Sequence, residues 1–102
     1  YYERLAANNG GVAATQSFAR TFLVPGMNHC SGGPATDNFD SIQTMVDWVE
    51  KGIAPQNIAA KALPTNTDFP NRTRPLCPNP QFAKYKGSGS VEDARSFVCS
   101  AS

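Results

Sequence analysis

The only histidine of the chain, His29, is the residue best suited to catalysis. An imidazole titrates near neutral pH without perturbation, so it can accept a proton from a hydroxyl and return it to a leaving group. The apolar run Phe22–Val24 precedes it, and the turn-forming pair Pro25-Gly26 separates the two. This pattern predicts an imidazole on a loop just past the end of a strand, where its two nitrogens can reach a hydroxyl and an orienting carboxylate.

A single imidazole on a loop after a strand is how α/β-hydrolases present the last member of a Ser–acid–His triad. The chain has no G-x-S-x-G sequence to supply the nucleophilic serine. The alternative interpretation of His29 is a loop histidine held by structural hydrogen bonds. Residue type and spacing alone leave both interpretations open.

Other chemistry is less well supported at this segment. Cys30 follows His29 directly, and adjacent side chains of an extended loop are expected to point apart, which argues against a cysteine nucleophile. One histidine and one adjacent cysteine do not chelate zinc, so we expect no metal and no cofactor here. Asp37 and Asp40 are predicted to serve a turn and a helix cap, and Gly32-Gly33 a turn.

Three cysteines leave one without a partner in the chain. Cys77 and Cys99 flank an irregular, proline-rich stretch, and a disulfide between them would stabilise it by about 3 kcal/mol in the loop-entropy model. Cys30 is then the cysteine left over, with its partner outside the chain. Three reduced thiols in a cytosolic protein are the alternative.

The composition excludes several classes of protein. The chain has 102 residues and a net charge of +1, which gives no electrostatic reason to expect nucleic acid or an anionic membrane as a partner. No apolar run is long enough to span a bilayer, and no signal-peptide pattern is present at the start. The chain begins at Tyr1 without an initiator methionine, which favours a processed product or a fragment.

The predicted elements that position the histidine are a strand and a helix. The strand covers residues 19–24, and its unbroken apolar run is typical of a strand buried on both faces of a parallel sheet. The helix covers Asn38–Gly52, with Asp40 or Asn38 as its N-cap and Gly52 as its stop. Its apolar residues fall on one stripe at helical spacing, with Trp48 beside it; they are Ile42, Met45, Val46, Val49 and Ile53.

Shorter elements complete the prediction. Residues 1–8 read as the end of a helix, residues 57–63 as an extended piece, residues 82–85 as a brief strand and residues 91–98 as a helical turn. One strand, one long helix and a tail closed by a disulfide are not expected to form an independent domain, because an isolated strand exposes two unpaired edges. We therefore expect the chain to complete a sheet supplied by the rest of a parent protein.

Four segments carry a resemblance to a known family. They are Phe22–Pro34, Asp47–Glu50, Arg72–Pro78 and Lys84–Gly89, and together they resemble the C-terminal part of the tannase and feruloyl esterase family, especially its bacterial members. The resemblance implies an α/β fold: the last strand, histidine loop, helix and disulfide-stapled tail of an α/β-hydrolase, with residues 1–102 forming its C-terminal segment rather than a domain.

The resemblance also implies roles for single residues. His29 is then the catalytic base, and Cys30 forms a disulfide with a cysteine that precedes the nucleophilic serine elsewhere in the parent. Cys77 and Cys99 match the pair that staples the tail of the family. The serine, the acid and a lid with its structural calcium lie outside this chain, so the segment alone is expected to be inactive.

Two functional hypotheses follow. The first is a segment of a secreted or periplasmic serine esterase that acts on small esters of aromatic acids, of the feruloyl, galloyl or terephthalate monoester type. The remainder of the parent chain is then its partner. The second is a small, disulfide-stabilised secreted protein that binds a ligand and catalyses nothing.

Overall fold

Short helices and strands of one mixed α/β structure make up the chain, and the computed structural model describes residues 1–102. The helices are α1 (Tyr2–Asn8), α2 (Val12–Thr15) and α3 (Ser41–Lys51); the strands are β1 (Ile58–Lys61), β2 (Thr73–Leu76), β3 (Phe82–Tyr85) and β4 (Phe97–Ser100). A 3₁₀ turn at Ala94–Ser96 precedes β4. The predicted helix in residues 1–8 and the predicted helix before Gly52 are confirmed.

Helix α3 is capped by Asp40, one of the two predicted N-caps, and by Gly52, the predicted stop, so it is shorter at its start than the predicted Asn38–Gly52. The carboxylate of Asp40 accepts a hydrogen bond from the backbone N–H of Gln43 at 2.8 Å, which satisfies one of the free donors at the helix start. Gly52 ends the helix in the left-handed conformation, with φ 69°, and its N–H donates to the carbonyl of Trp48. The capping residues therefore fix where α3 begins and ends.

The apolar stripe of α3 faces solvent. Ile42 is 77% exposed and Val49 is 75% exposed, and Met45 and Ile53 are exposed as well. Trp48, beside the stripe, is half-buried, and the guanidinium of Arg20 lies over its ring at 5.5 Å from the centroid. The helix is therefore amphipathic as predicted, but most of its apolar side is exposed, and only Val46 of the stripe is half-buried.

The predicted strand over residues 19–24 is wrong. The segment makes a single isolated antiparallel bridge, between Phe22 and Pro78, and Asn79 donates its N–H to the carbonyl of Thr21 at 2.7 Å. Leu23 is 64% exposed. A strand buried in a parallel sheet requires neighbours on both edges, and this chain supplies one short contact on one edge.

The strands pair as two antiparallel ladders. β1 pairs with β2, with Ile58 opposite Leu76, and β3 pairs with β4, with Phe82 opposite Ser100. The extended piece predicted in residues 57–63 and the strand predicted in residues 82–85 are confirmed. Of the helical turn predicted in residues 91–98, only the 3₁₀ turn forms, because the residues after it continue as β4.

The predicted disulfide between Cys77 and Cys99 is confirmed. Its S–S distance is 2.02 Å and its Cα–Cα distance is 5.6 Å. Cys77 follows β2 directly and Cys99 lies within β4, opposite Ala83. The bond therefore joins the two ladders covalently.

The buried core of the chain is thin. Only 11 of the 102 residues are buried, and Leu76 is the single large aliphatic side chain among them. The other buried hydrophobic residues are Ala6, Ala35, Ala60, Ala62 and Cys77. Such small side chains bury little apolar area, so hydrophobic burial within the chain contributes little to its stability. None of the helices has the length and apolar character needed to cross a bilayer.

Candidate active site: the histidine loop

His29 lies on an exposed loop, as the sequence predicts, although the segment before it is not a strand. We call residues 25–33 the histidine loop. It starts at the Pro25-Gly26 turn, and His29 and Cys30 lie in an exposed bend near its middle. The imidazole is therefore accessible from outside the chain, which a general base acting on a bound substrate requires.

Two glycines meet where the histidine loop begins and ends. Gly26 and Gly33 have φ values of 78° and 84°, in the left-handed region that favours glycine. A Cβ added to Gly33 would collide with the carbonyl oxygen of Gly26, and a Cβ added to Gly26 would lie 2.6 Å from the carbonyl oxygen of Pro34. The two ends of the loop can approach this closely only because both residues lack side chains.

Hydrogen bonds hold the later half of the loop. The backbone N–H of Asn28 donates to the carbonyl of Gly32 at 3.0 Å within the loop. The carboxylate of Asp37 accepts the N–H of Gly32 at 2.7 Å, which confirms its predicted role in a turn. The side-chain amide of Asn66 donates to the carbonyl of Gly33 at 3.0 Å. Two side chains outside the loop thus bind two consecutive residues of it.

Cys30 contacts His29, contrary to the prediction that these neighbours point apart. The Sγ atom of Cys30 lies 3.0 Å from Nδ1 of His29. Cys30 has a φ of 73°, and this left-handed conformation turns the backbone so that the two adjacent side chains meet. The thiol is exposed and has no disulfide partner within the chain.

Most groups with a shifted pKa lie in the C-terminal tail; the exception is Asp47 of α3, whose pKa is lowered by hydrogen bonds from Gln43 and Lys51. The Arg72 guanidinium donates two hydrogen bonds of 2.6 Å to Glu92, and this pairing lowers the pKa of the Glu92 carboxyl. Hydrogen bonds from Arg95 lower the pKa of Asp93 to about 2. Burial and the nearby Arg72 charge lower the pKa of Arg74. Of these groups, Arg72 and Glu92 form the pair that connects the start of β2 to the turn before β4, whereas Asp93 and Arg95 pair within that turn.

A cavity of about 340 Å³ lies between the base of the histidine loop and the strands, where Leu23, Pro25 and Pro34 face Leu76 and Phe82, and His29 does not line it. A smaller cleft of about 250 Å³ runs between Gly32-Gly33 and the loop that carries Asn66. No group of three or more His, Cys, Asp or Glu residues is arranged to hold a metal ion.

Sequence reasoning did not single out Asn66 or the contact between Gly26 and Gly33. Asn66 lies 33 residues from its partner Gly33, and no periodic pattern connects the two positions. The sequence predicts turns at both glycines. Their contact with each other depends on the path of the whole loop, which no local pattern predicts.

Known proteins are similar to this chain over nearly its whole length. The family described as "Tannase and feruloyl esterase" matches residues 1–100. The chain is 55% identical over 102 residues to the mono(2-hydroxyethyl) terephthalate hydrolase of Piscinibacter sakaiensis, covering 99% of this chain and 16% of that protein. It is 35% identical over 101 residues to a probable feruloyl esterase of Arthroderma benhamiae, covering 97% of this chain and 19% of that protein.

A solved structure gives the same result. An esterase from Aspergillus oryzae superposes with a TM-score of 0.81 at 31% identity, covering 98% of this chain and 23% of that one. The chain thus spans 16–23% of the length of these relatives. Since the family model matches residues 1–100, the chain belongs to the tannase and feruloyl esterase family.

Proposed function

We propose that this chain is the histidine-bearing segment of a serine carboxylic-ester hydrolase that acts on esters of aromatic acids, with His29 as the general base. The proposal rests on one observation. The chain belongs to this family, and its only histidine lies on an exposed loop that side-chain hydrogen bonds hold in place. The names of the relatives, a terephthalate monoester hydrolase and feruloyl esterases, support aromatic-acid esters as the substrate class.

The chemistry assigned to His29 is proton transfer in both halves of acyl transfer. As a serine hydroxyl attacks the ester carbonyl, the imidazole takes the hydroxyl proton, and the resulting imidazolium gives that proton to the leaving alcohol. In the second half the imidazole takes a proton from the water that attacks the acyl-serine, and the imidazolium gives that proton to the serine oxygen as the aromatic acid leaves. The serine and the carboxylate that orients the ring belong to other parts of the full-length protein.

Cys30 is assigned to a disulfide with a cysteine elsewhere in the full-length protein. Its support is the exposed thiol without a partner in the chain, next to the proposed base. The existing Cys77–Cys99 bond supports an oxidising compartment, either the periplasm or the exterior of the cell. A second bond at the histidine loop would then fix that loop to the rest of the enzyme.

Residues 1–102 are proposed as the C-terminal portion of an α/β-hydrolase rather than an independent domain. The thin core supports this placement, since 91 of 102 residues are not buried. The mostly exposed apolar stripe on α3 supports it further, because burial of such a stripe against the remaining protein would recover the hydrophobic stabilisation that the chain lacks.

The test is turnover of the full-length protein on feruloyl, galloyl and terephthalate monoesters, with and without His29→Ala. Loss of the base is expected to lower turnover by a factor on the order of 10⁶, with the melting temperature nearly unchanged. Ser31→Ala is the matched control, because Ser31 is exposed on the same loop and its hydroxyl makes no hydrogen bond. Near-normal turnover of His29→Ala would overturn the proposal.

A further inference from the structure

The later half of the histidine loop is fixed from two independent directions. The N–H of Gly32 is bound by Asp37, and the carbonyl of Gly33 is bound by Asn66. Gly32 lies three residues after His29, so a shift of these peptide groups moves the imidazole with them. The backbone hydrogen bonds of the loop are local: Asn28 N–H donates to Gly32, Met27 N–H donates to Val24, and the Gly33 carbonyl also accepts from Ala35 N–H at 2.8 Å. None of them ties the loop to a distant element, as the side chains of Asp37 and Asn66 do.

The backbone on either side of Asp37 is held in place, on one side by the ladder of β1 and β2. The residue before it, Thr36, is buried, and the residue after it, Asn38, exchanges two backbone hydrogen bonds with Lys61 of β1, at 3.0 and 2.9 Å. The carboxylate therefore projects from a backbone that cannot move freely. Its hydrogen bond to the N–H of Gly32 is charge-assisted, which makes it stronger than a neutral one.

Asn66 is anchored by its own loop. Its Oδ1 accepts the N–H groups of Asp68 and Phe69 at 3.0 and 2.8 Å, and its backbone N–H donates to the carbonyl of Leu63. Only its Nδ2 group reaches outward, to Gly33. Because Oδ1 accepts two hydrogen bonds and Nδ2 donates one, the amide has a single orientation that satisfies all of its partners.

We propose that Asp37 and Asn66 are positioning residues, which hold His29 in place through Gly32 and Gly33; this role rests on the proposed function of His29. A general base must lie within hydrogen-bond reach of the hydroxyl, and a displacement of about 1 Å can reduce the rate by about 100-fold. Neither side chain needs to touch substrate for this effect. Their action is on turnover rather than on substrate binding.

The test compares kcat and KM of the full-length protein across five variants. Asp37→Ala and Asn66→Ala are each expected to lower kcat by about 10- to 100-fold, with KM changed by less than about threefold. Asp37→Asn keeps an oxygen acceptor for the N–H of Gly32, so its kcat is expected to stay within about threefold of the parent. Asp68→Ala is the matched control, because its carboxylate lies beside the same cleft and makes no hydrogen bond or ion pair.

His29→Ala, the fifth variant, separates the two proposals. If His29→Ala is inactive while Asp37→Ala and Asn66→Ala behave like Asp68→Ala, the positioning role is overturned and the proposed function stands. If His29→Ala is active, the proposed function itself fails. If the kcat of Asp37→Asn is as low as that of Asp37→Ala, accepting a hydrogen bond from Gly32 is not what matters at this position. The positioning role through that hydrogen bond is then overturned, and the effect is due to the negative charge of Asp37. Asn66→Ala keeps the proposal testable if Asp37→Ala does not fold.

Discussion

The thiol of Cys30 and the imidazole of His29 are direct neighbours in space, with Sγ 3.0 Å from Nδ1. In a catalytic triad, Nδ1 is the nitrogen that faces the orienting carboxylate. A free thiol at this position therefore occupies the place that the carboxylate requires. In the proposed external disulfide the sulfur carries no proton, so it no longer donates to Nδ1.

The first prediction concerns the state of Cys30 in the full-length protein. Mass analysis of a non-reduced digest is expected to find the Cys30 peptide linked to a peptide that contains the cysteine beside the nucleophilic serine. Mild reduction is expected to lower turnover more than it lowers the melting temperature, because this bond positions catalytic loops. Detection of Cys30 as a free thiol in the untreated protein would contradict the pairing.

The second prediction concerns the contact between Gly33 and Gly26. Gly33→Ala places a methyl group against the carbonyl oxygen of Gly26 and forces a side chain into a left-handed conformation. We expect lower turnover and a lower melting temperature. Gly87→Ala is the control, since Gly87 has a φ of 96° but no atom within 4 Å of an added Cβ. The same loss in both variants would mean that the conformation alone, and not the contact, is responsible.

The third prediction concerns the bond between Cys77 and Cys99. Its removal by a double change to serine is expected to lower the free energy of unfolding by about 3 kcal/mol, because the unfolded chain regains the freedom of a loop across 22 positions. Denaturant unfolding of the full-length parent and of the double serine variant, both without reductant, measures this difference. The KM of the serine variant is expected to stay near that of the parent, since the bond lies in the tail.

The fourth prediction concerns the pair of Arg72 and Glu92. The pairing lowers the pKa of Glu92 in the folded state, so its stabilisation is complete above the unfolded value of about 4.3 and is lost as the pH falls through the lowered folded value. Glu92→Gln is therefore expected to melt below the parent at pH 7 and to converge with it in acid. Glu50→Gln, which removes an exposed carboxylate without a partner, is expected to show no such convergence.

Local signals in the sequence predicted local structure well. Asp40 and Gly52 marked the ends of α3 because each acts on backbone groups within one turn of itself. The proline-rich stretch between Cys77 and Cys99 likewise indicated its own disulfide. In each case the residues that decide the structure lie within the segment they control.

The prediction failed where the deciding partner is not in the chain or is not implied by a pattern. An apolar run such as Phe22–Val24 becomes a strand only if neighbouring strands bind its edges, and this chain supplies one bridge. The contact between Cys30 and His29 depends on a positive φ that no composition rule gives to cysteine. The hydrogen bond from Asn66 to the carbonyl of Gly33 depends on the tertiary path of the loop that carries Asn66.

The bond between Cys77 and Cys99 also closes part of the tail into a covalent ring. The exposed turn Gly87–Ser90 lies inside that ring, between β3 and the 3₁₀ turn. A protease that cuts this turn opens the ring but releases no fragment, since the disulfide still joins the two pieces. The cut chain therefore migrates as one species without reductant and separates into two only after reduction.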